Sequence, residues 1–256
     1  MFDYVLAYRT QIPDGIGWRF FGPVHLTYLI SFTALCMVLV TIYRRATKAR
    51  RFHIRVALAS IIVALEAAKQ IFCLVRGVYE PDLAPLQLCS MTIFIIAIHT
   101  AKPNRWTAQL LYALSLPGAA AALLLPDWTA YPVANVFFQH SFFIHFFEVC
   151  YPVLLLSTGE LRPRINEIWR PIVFLVVVAP PILAINYFFG TDFLMTRTVA
   201  SYAPPFLTQT ILGIPGYYPA FLGVILLVWV LLYLPWTIKD SREKKAAEQQ
   251  ELSFTH

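Results

Sequence analysis

Apolar residues dominate seven long stretches of this chain, at about 23–43, 54–77, 84–100, 107–125, 132–157, 171–189 and 217–238, and polar residues crowd into the gaps between them. A hydrocarbon core about 30 Å thick takes about 20 mostly apolar residues of helix, and only a helix or a closed barrel satisfies the backbone there. The stretches are too long and too continuously apolar for barrel strands. They predict an all-α membrane protein, a seven-transmembrane-helix bundle within residues 1–238, followed by a polar cytoplasmic tail at 239–256.

Basic residues order the gaps. The first, third and fifth connections and the tail together hold fourteen Lys and Arg, against Arg9, Arg19 and Arg197 on the other side. Positive charge accumulates in short cytoplasmic loops, so the N-terminus is expected outside and the C-terminus inside. The N-terminal residues lack the basic, apolar and small-residue succession of a signal peptide. The sixth connection, about 190–216, mixes apolar residues with Pro204, Pro205 and Pro215 and reads as a packed or partly re-entrant lid.

Composition agrees with this layout: 59% apolar and 13% charged residues, against about 25% charged in soluble domains. The net charge of +6 lies in clusters between spans, the pattern of membrane topology and not of nucleic-acid binding. Cys36, Cys73, Cys89 and Cys150 show no CxxC spacing, so neither a zinc ribbon nor a disulfide scaffold is suggested.

An ionisable side chain near a helix centre costs on the order of 2.5 to 3.5 kcal/mol, so each one in a span calls for a partner or a function. Glu66, Lys69 and Gln70 share one face of the second span and read equally as a structural ion pair or as part of a site. Counted from the span boundaries at about 1.5 Å per residue, Cys89 in the third span and His140 in the fifth fall in one outer layer. His25, Asn135 and Asn186 lie in or just above it. In the deeper half, His145 and Glu148 read as a packing pair and His99 as a solvated residue near a cytoplasmic end.

A thiol beside an imidazole can lose its proton, attack an ester carbonyl, and have the leaving oxygen protonated in return. Phospholipid ester carbonyls lie near the boundary between headgroups and hydrocarbon, which makes a lipid the natural substrate at this depth.

The same residues carry a resemblance. FGPVHL opens the first span, ALEAAKQIF lies in the second, APLQLCSM in the third, LLPDW closes the fourth, FFQHSFF lies in the fifth, and NYFFGTD is followed by GIPGYYP. In order and spacing these are similar to the YwaF-type integral membrane proteins of bacteria, which resemble an animal transmembrane acyltransferase that remodels ether phospholipids. The resemblance implies that the LCS cysteine, here Cys89, accepts the acyl group and that a histidine two spans later, here His140, is its partner. Ala84 and Gln87 stand where relatives often carry other residues.

The sequence thus reads as a plasma-membrane phospholipid acyltransferase working through a Cys89 thioester, with His140 as general base and then acid. Glu66, Lys69 and Gln70 order the headgroup or the imidazole, and His25, Asn135 and Asn186 line the entrance. A site in the outer half, away from acyl-CoA, implies a membrane phospholipid as donor and requires no metal or diffusible cofactor. The alternative is a transporter or lipid-binding protein using the same polar layer without covalent chemistry, although no internal repeat is visible. A retinal-type receptor is disfavoured because the seventh span has no lysine.

Overall fold

A computed structural model of the chain describes residues 4–196 and 209–254. Seven helices among them are long and apolar enough to cross a membrane. The helices of these spans are α1 (Pro23–Arg45), α2 (Lys48–Val75), α3 (Leu88–Ala101, within a span of Pro81–Ala101 that includes the preceding short turn), α4 (Arg105–Leu124), α5 (Val136–Thr158), α6 (Trp169–Phe189) and α7 (Gln209–Phe254). This is a multi-pass membrane protein. Within α4, Leu111–Ser115 is π-helical, a form found mostly as short interruptions of α-helices.

Several expected boundaries move. The first connection is a tight turn, so α2 starts at Lys48, where the Thr47 hydroxyl accepts the Arg50 amide. The fifth apolar run begins at about 132 but α5 begins at Val136, because Asn135 caps it by accepting the Phe137 amide. α7 starts before residue 217 and continues through the polar tail to Phe254. Of the sixth connection, 190–196 is described; the remainder of the expected lid up to 208, with Arg197, Pro204 and Pro205, lies outside the described residues.

α4 and α5 are the buried elements, while α1, α6 and α7 turn most of their spanning surface outward. Ile30, Met37, Ile71, Leu74, Val176, Val177, Leu227 and Val230 are among the exposed apolar side chains, a belt that acyl chains cover in a bilayer. α5 packs against α1, α2, α3 and α4. α7 is fixed to α4 by Trp229 donating to the Ala113 carbonyl at 2.9 Å, Tyr233 to Gln109 at 2.9 Å and Tyr112 to the Leu232 carbonyl at 2.5 Å. The π-helical turn brings Tyr112 and the Ala113 carbonyl to α7.

The two ends of the bundle differ. At the basic end Glu160 joins Tyr43, Arg51 and Arg55, and Glu167 pairs with Arg105 at 3.2 Å. His99 belongs to this end but is not solvated as its position suggests. It is 3% exposed, with Nδ1 2.7 Å from the Thr107 hydroxyl. At the other end residues 4–22 form a strap across the α2–α3, α4–α5 and α5 termini. Asn135 donates to the carbonyls of Tyr4 and Ala7, and Trp18 N–H to that of Thr129. Gly17 makes this crossing possible, since a Cβ there would sit 2.0 Å from the Thr129 carbonyl oxygen.

Candidate functional site

The connection from α2 to α3 sets the depth of the site. Gln70, five residues before the end of α2, donates to the Leu83 carbonyl at 2.7 Å. The chain has therefore turned back about 7.5 Å along α2 before α3 begins. Gln87 then holds the start of α3 to the sixth connection, accepting from Leu194 N–H at 3.0 Å and donating to the Asp192 carbonyl at 3.3 Å. Cys89, the second residue of α3, consequently lies deeper than its distance from the end of an apolar run suggests.

What it meets at that depth is α5, through His145 and Glu148. A Cys89 sulfur, a His145 ring nitrogen and a Glu148 carboxyl oxygen all lie within 4.8 Å of one another. The packing pair expected from the sequence thus stands beside the thiol. Helical periodicity explains the pairing: Cys89 and Thr92 are i, i+3 on α3, and His145 and Glu148 are i, i+3 on α5, so each pair shares a face. Thr92 Oγ1 lies 2.7 Å from Glu148 Oε1 and 2.8 Å from the Cys89 carbonyl, tying the carboxyl to the first turn of α3.

His145 is held in one orientation. Its Nδ1 donates to the Ser141 carbonyl at 2.6 Å, and its ring stacks on Trp128 with centroids 5.0 Å apart and planes 6° from parallel. That hydrogen bond fixes the proton on Nδ1 in the neutral ring and leaves the Nε2 lone pair available. Glu148 is completely buried, and its Oε2 has no hydrogen-bond partner. Cys89 and His145 are of intermediate exposure, and Glu148 is completely buried beside them.

His140 belongs to a second cluster. Five residues from His145, it is turned about 140° around the α5 axis. Its Nε2 lies 3.4 Å from Glu66 Oε2 without hydrogen-bond geometry. Glu66 Oε1 accepts from Lys69 at 2.8 Å and from Gln70 at 2.7 Å. Glu66, Lys69, Gln70 and His140 are thereby brought together as one ion-paired group between α2 and α5.

The three remaining expected site residues have architectural partners. His25 is fully buried; Nδ1 accepts from Phe21 N–H at 3.1 Å, so Nε2 holds the proton and donates to the Leu123 carbonyl at 2.8 Å. Asn135 caps α5 and ties down the strap. Asn186 donates to the Phe193 carbonyl and to Thr196, and accepts from the Thr191 hydroxyl and Phe193 N–H, which folds the turn after α6. A cavity of about 290 Å³ lies between the strap, the start of α1 and the α4–α5 connection, lined by Trp18, Pro23, Val24, Pro132 and Val133 among others but by neither His25 nor Asn135.

His145, Glu148, Thr92 and Trp128 are the residues that counting depth along the chain overlooks. Facing i, i+3 pairs of reactive and hydrogen-bonding side chains on the third and fifth spans were the available signal. Among known families, the TMEM164 family model matches residues 20–233. No curated protein and no solved structure matches the chain.

Proposed function

Taking as premise that the chain belongs to the TMEM164 family, we propose that it is a membrane phospholipid acyltransferase in which Cys89 carries the acyl group and His145 moves the protons. The observation that carries this reading is the approach of the Cys89 sulfur, a His145 nitrogen and a Glu148 oxygen to within 4.8 Å inside the helical bundle. The family match over residues 20–233, and the resemblance of the sequence motifs to YwaF-type bacterial proteins and the animal ether-phospholipid acyltransferase, support the reaction class.

The steps balance on this chain's own groups. His145 Nε2 takes the thiol proton as Cys89 Sγ attacks the ester carbonyl of a donor phospholipid. The carbon–oxygen ester bond breaks, and the imidazolium returns the proton to the departing lysophospholipid oxygen. In the second half, the imidazole takes the proton of an acceptor lysolipid hydroxyl, whose oxygen attacks the thioester. Sγ leaves as thiolate and regains a proton. Ser141 and Trp128 hold the imidazole through both steps, as a base needs an orienting third group.

In this reading the Glu66, Lys69, Gln70 and His140 group neighbours the reaction as a headgroup site. The sequence expectation that His140 is the base becomes the competing assignment. Turnover of diacyl and lysophospholipids in proteoliposomes decides: Cys89→Ser should abolish transfer, since an alkoxide is far harder to form than a thiolate. Full activity in that variant rejects the thioester, and no turnover by the wild type across lipid classes favours the transporter.

A further inference from the structure

We propose that Cys89, His145 and Glu148 also form a zinc site, and that zinc bound there blocks acylation. The binding stands on geometry alone; the inhibition rests on the acyl-transfer reading above.

Thiolate, imidazole and carboxylate are the donor types zinc takes, and three protein ligands with an open fourth position are the usual count when a metal is reachable from outside. Here the three donor atoms are already within 4.8 Å of one another. Tetrahedral bonds of about 2.0 to 2.3 Å separate donors by about 3.3 to 3.7 Å, so closure by about 1 Å completes the set. The surroundings are those of a ligand shell. His145 Nδ1 donates to the Ser141 carbonyl, which directs the other nitrogen outward as the second shell of a metal-bound histidine does. Glu148 Oε1 is anchored by Thr92, while Oε2 is buried without any partner, a costly state for a carboxyl oxygen that a cation would relieve. Zinc would displace the thiol proton and occupy both the sulfur and the imidazole lone pair, the two atoms acyl transfer needs.

The test uses the purified chain in detergent, stripped with chelator and titrated with Co²⁺ as the spectroscopic stand-in for Zn²⁺. Thiolate-to-cobalt charge transfer is expected at one equivalent and is displaced by Zn²⁺. Cys89→Ser should remove it, and Glu148→Gln and His145→Asn should each weaken binding at least about 10-fold, since losing a ligand costs no less than the about 10- to 100-fold lost with the groups that orient ligands. The Cys36→Ser/Cys150→Ser double variant should leave it unchanged and guards against binding by other thiols of the chain. Absence of the band, or its survival in Cys89→Ser, overturns the site. Acyl adducts on metal-free protein are scored in parallel by mass. An adduct without cobalt binding refutes zinc and keeps the transferase; cobalt binding without an adduct does the reverse. If both form, Zn²⁺ should suppress the adduct, and an adduct that forms at full rate with zinc bound overturns the inhibition.

Discussion

Cys89 on α3 and His145 on α5 stand within 4.8 Å of each other, whereas His140, five residues earlier on the same helix, faces Glu66. The two histidines can therefore be separated by mutation. His145→Ala is expected to slow acylation and release by about 10² to 10⁴-fold, the usual worth of general acid–base catalysis. His140→Ala should leave the chemical step of a saturated enzyme within a few-fold and act mainly on KM. Single-turnover acylation in proteoliposomes measures both, and the opposite ranking would restore His140 as the base.

Glu66 is the centre of the second cluster, accepting from Lys69 and Gln70 while facing His140. Glu66→Ala strips a largely buried ion pair of one partner, which costs about 3 to 5 kcal/mol. A clear drop in the detergent melting temperature is expected, and Glu66→Gln/Lys69→Met should recover much of it by removing both charges. Unchanged melting in Glu66→Ala would mean that the group is solvated in the membrane.

Much of this architecture is legible in the sequence. Seven spans follow from the length and polarity of the apolar runs, and Cys89, Glu66, Lys69 and Gln70 stand out as polar chemistry inside them. The depth of Cys89 is not legible, because it depends on the α2–α3 connection turning inward to place the Leu83 carbonyl on Gln70. Nor is the entry of α5, where the apolar run begins at about 132 but the cap is Asn135. These two offsets move the meeting point from His140 to His145. His25, Asn135 and Asn186 look like site residues because they are polar in apolar segments. Their partners are mostly backbone groups at distant or turning points of the chain, joined for Asn186 by the hydroxyls of Thr191 and Thr196, which no local spacing reveals.

Those three residues should accordingly behave as structural ones. His25→Ala leaves the Leu123 carbonyl without its donor, worth about 1 to 3 kcal/mol. Lower melting temperature with near-normal kcat in the folded fraction is the expected result. A kcat loss without a stability loss would place His25 at the reaction.

Gly17 offers a sharper test of the strap. An alanine Cβ at this position meets the Thr129 carbonyl oxygen at 2.0 Å, so Gly17→Ala must move backbone. Overpacking of this kind costs about 1 to 3 kcal/mol. Faster proteolysis within residues 4–22 is expected, and wild-type resistance would show that the strap does not cross so closely.

The strap also carries a pH dependence. Burial and the neighbouring Glu80 push the Tyr8 hydroxyl up from its ordinary value of 10 to about 12. A raised acid favours the folded strap fully below pH 10, and this contribution is lost as pH rises through about 12. Protease resistance of the N-terminal segment should fall over that window in the wild type, and Tyr8→Phe should lessen the fall. Identical profiles for the two proteins would remove Tyr8 from the strap's anchoring.

Intact-protein mass spectrometry after incubation with a single defined phospholipid tests the central mechanism most directly. The wild type is expected to gain the mass of one acyl chain, released by neutral hydroxylamine, with the modified peptide containing Cys89. Cys89→Ser should gain nothing, and His145→Ala should gain it far more slowly. An adduct on another residue, or lipid turnover by Cys89→Ser at the wild-type rate, would contradict the thioester.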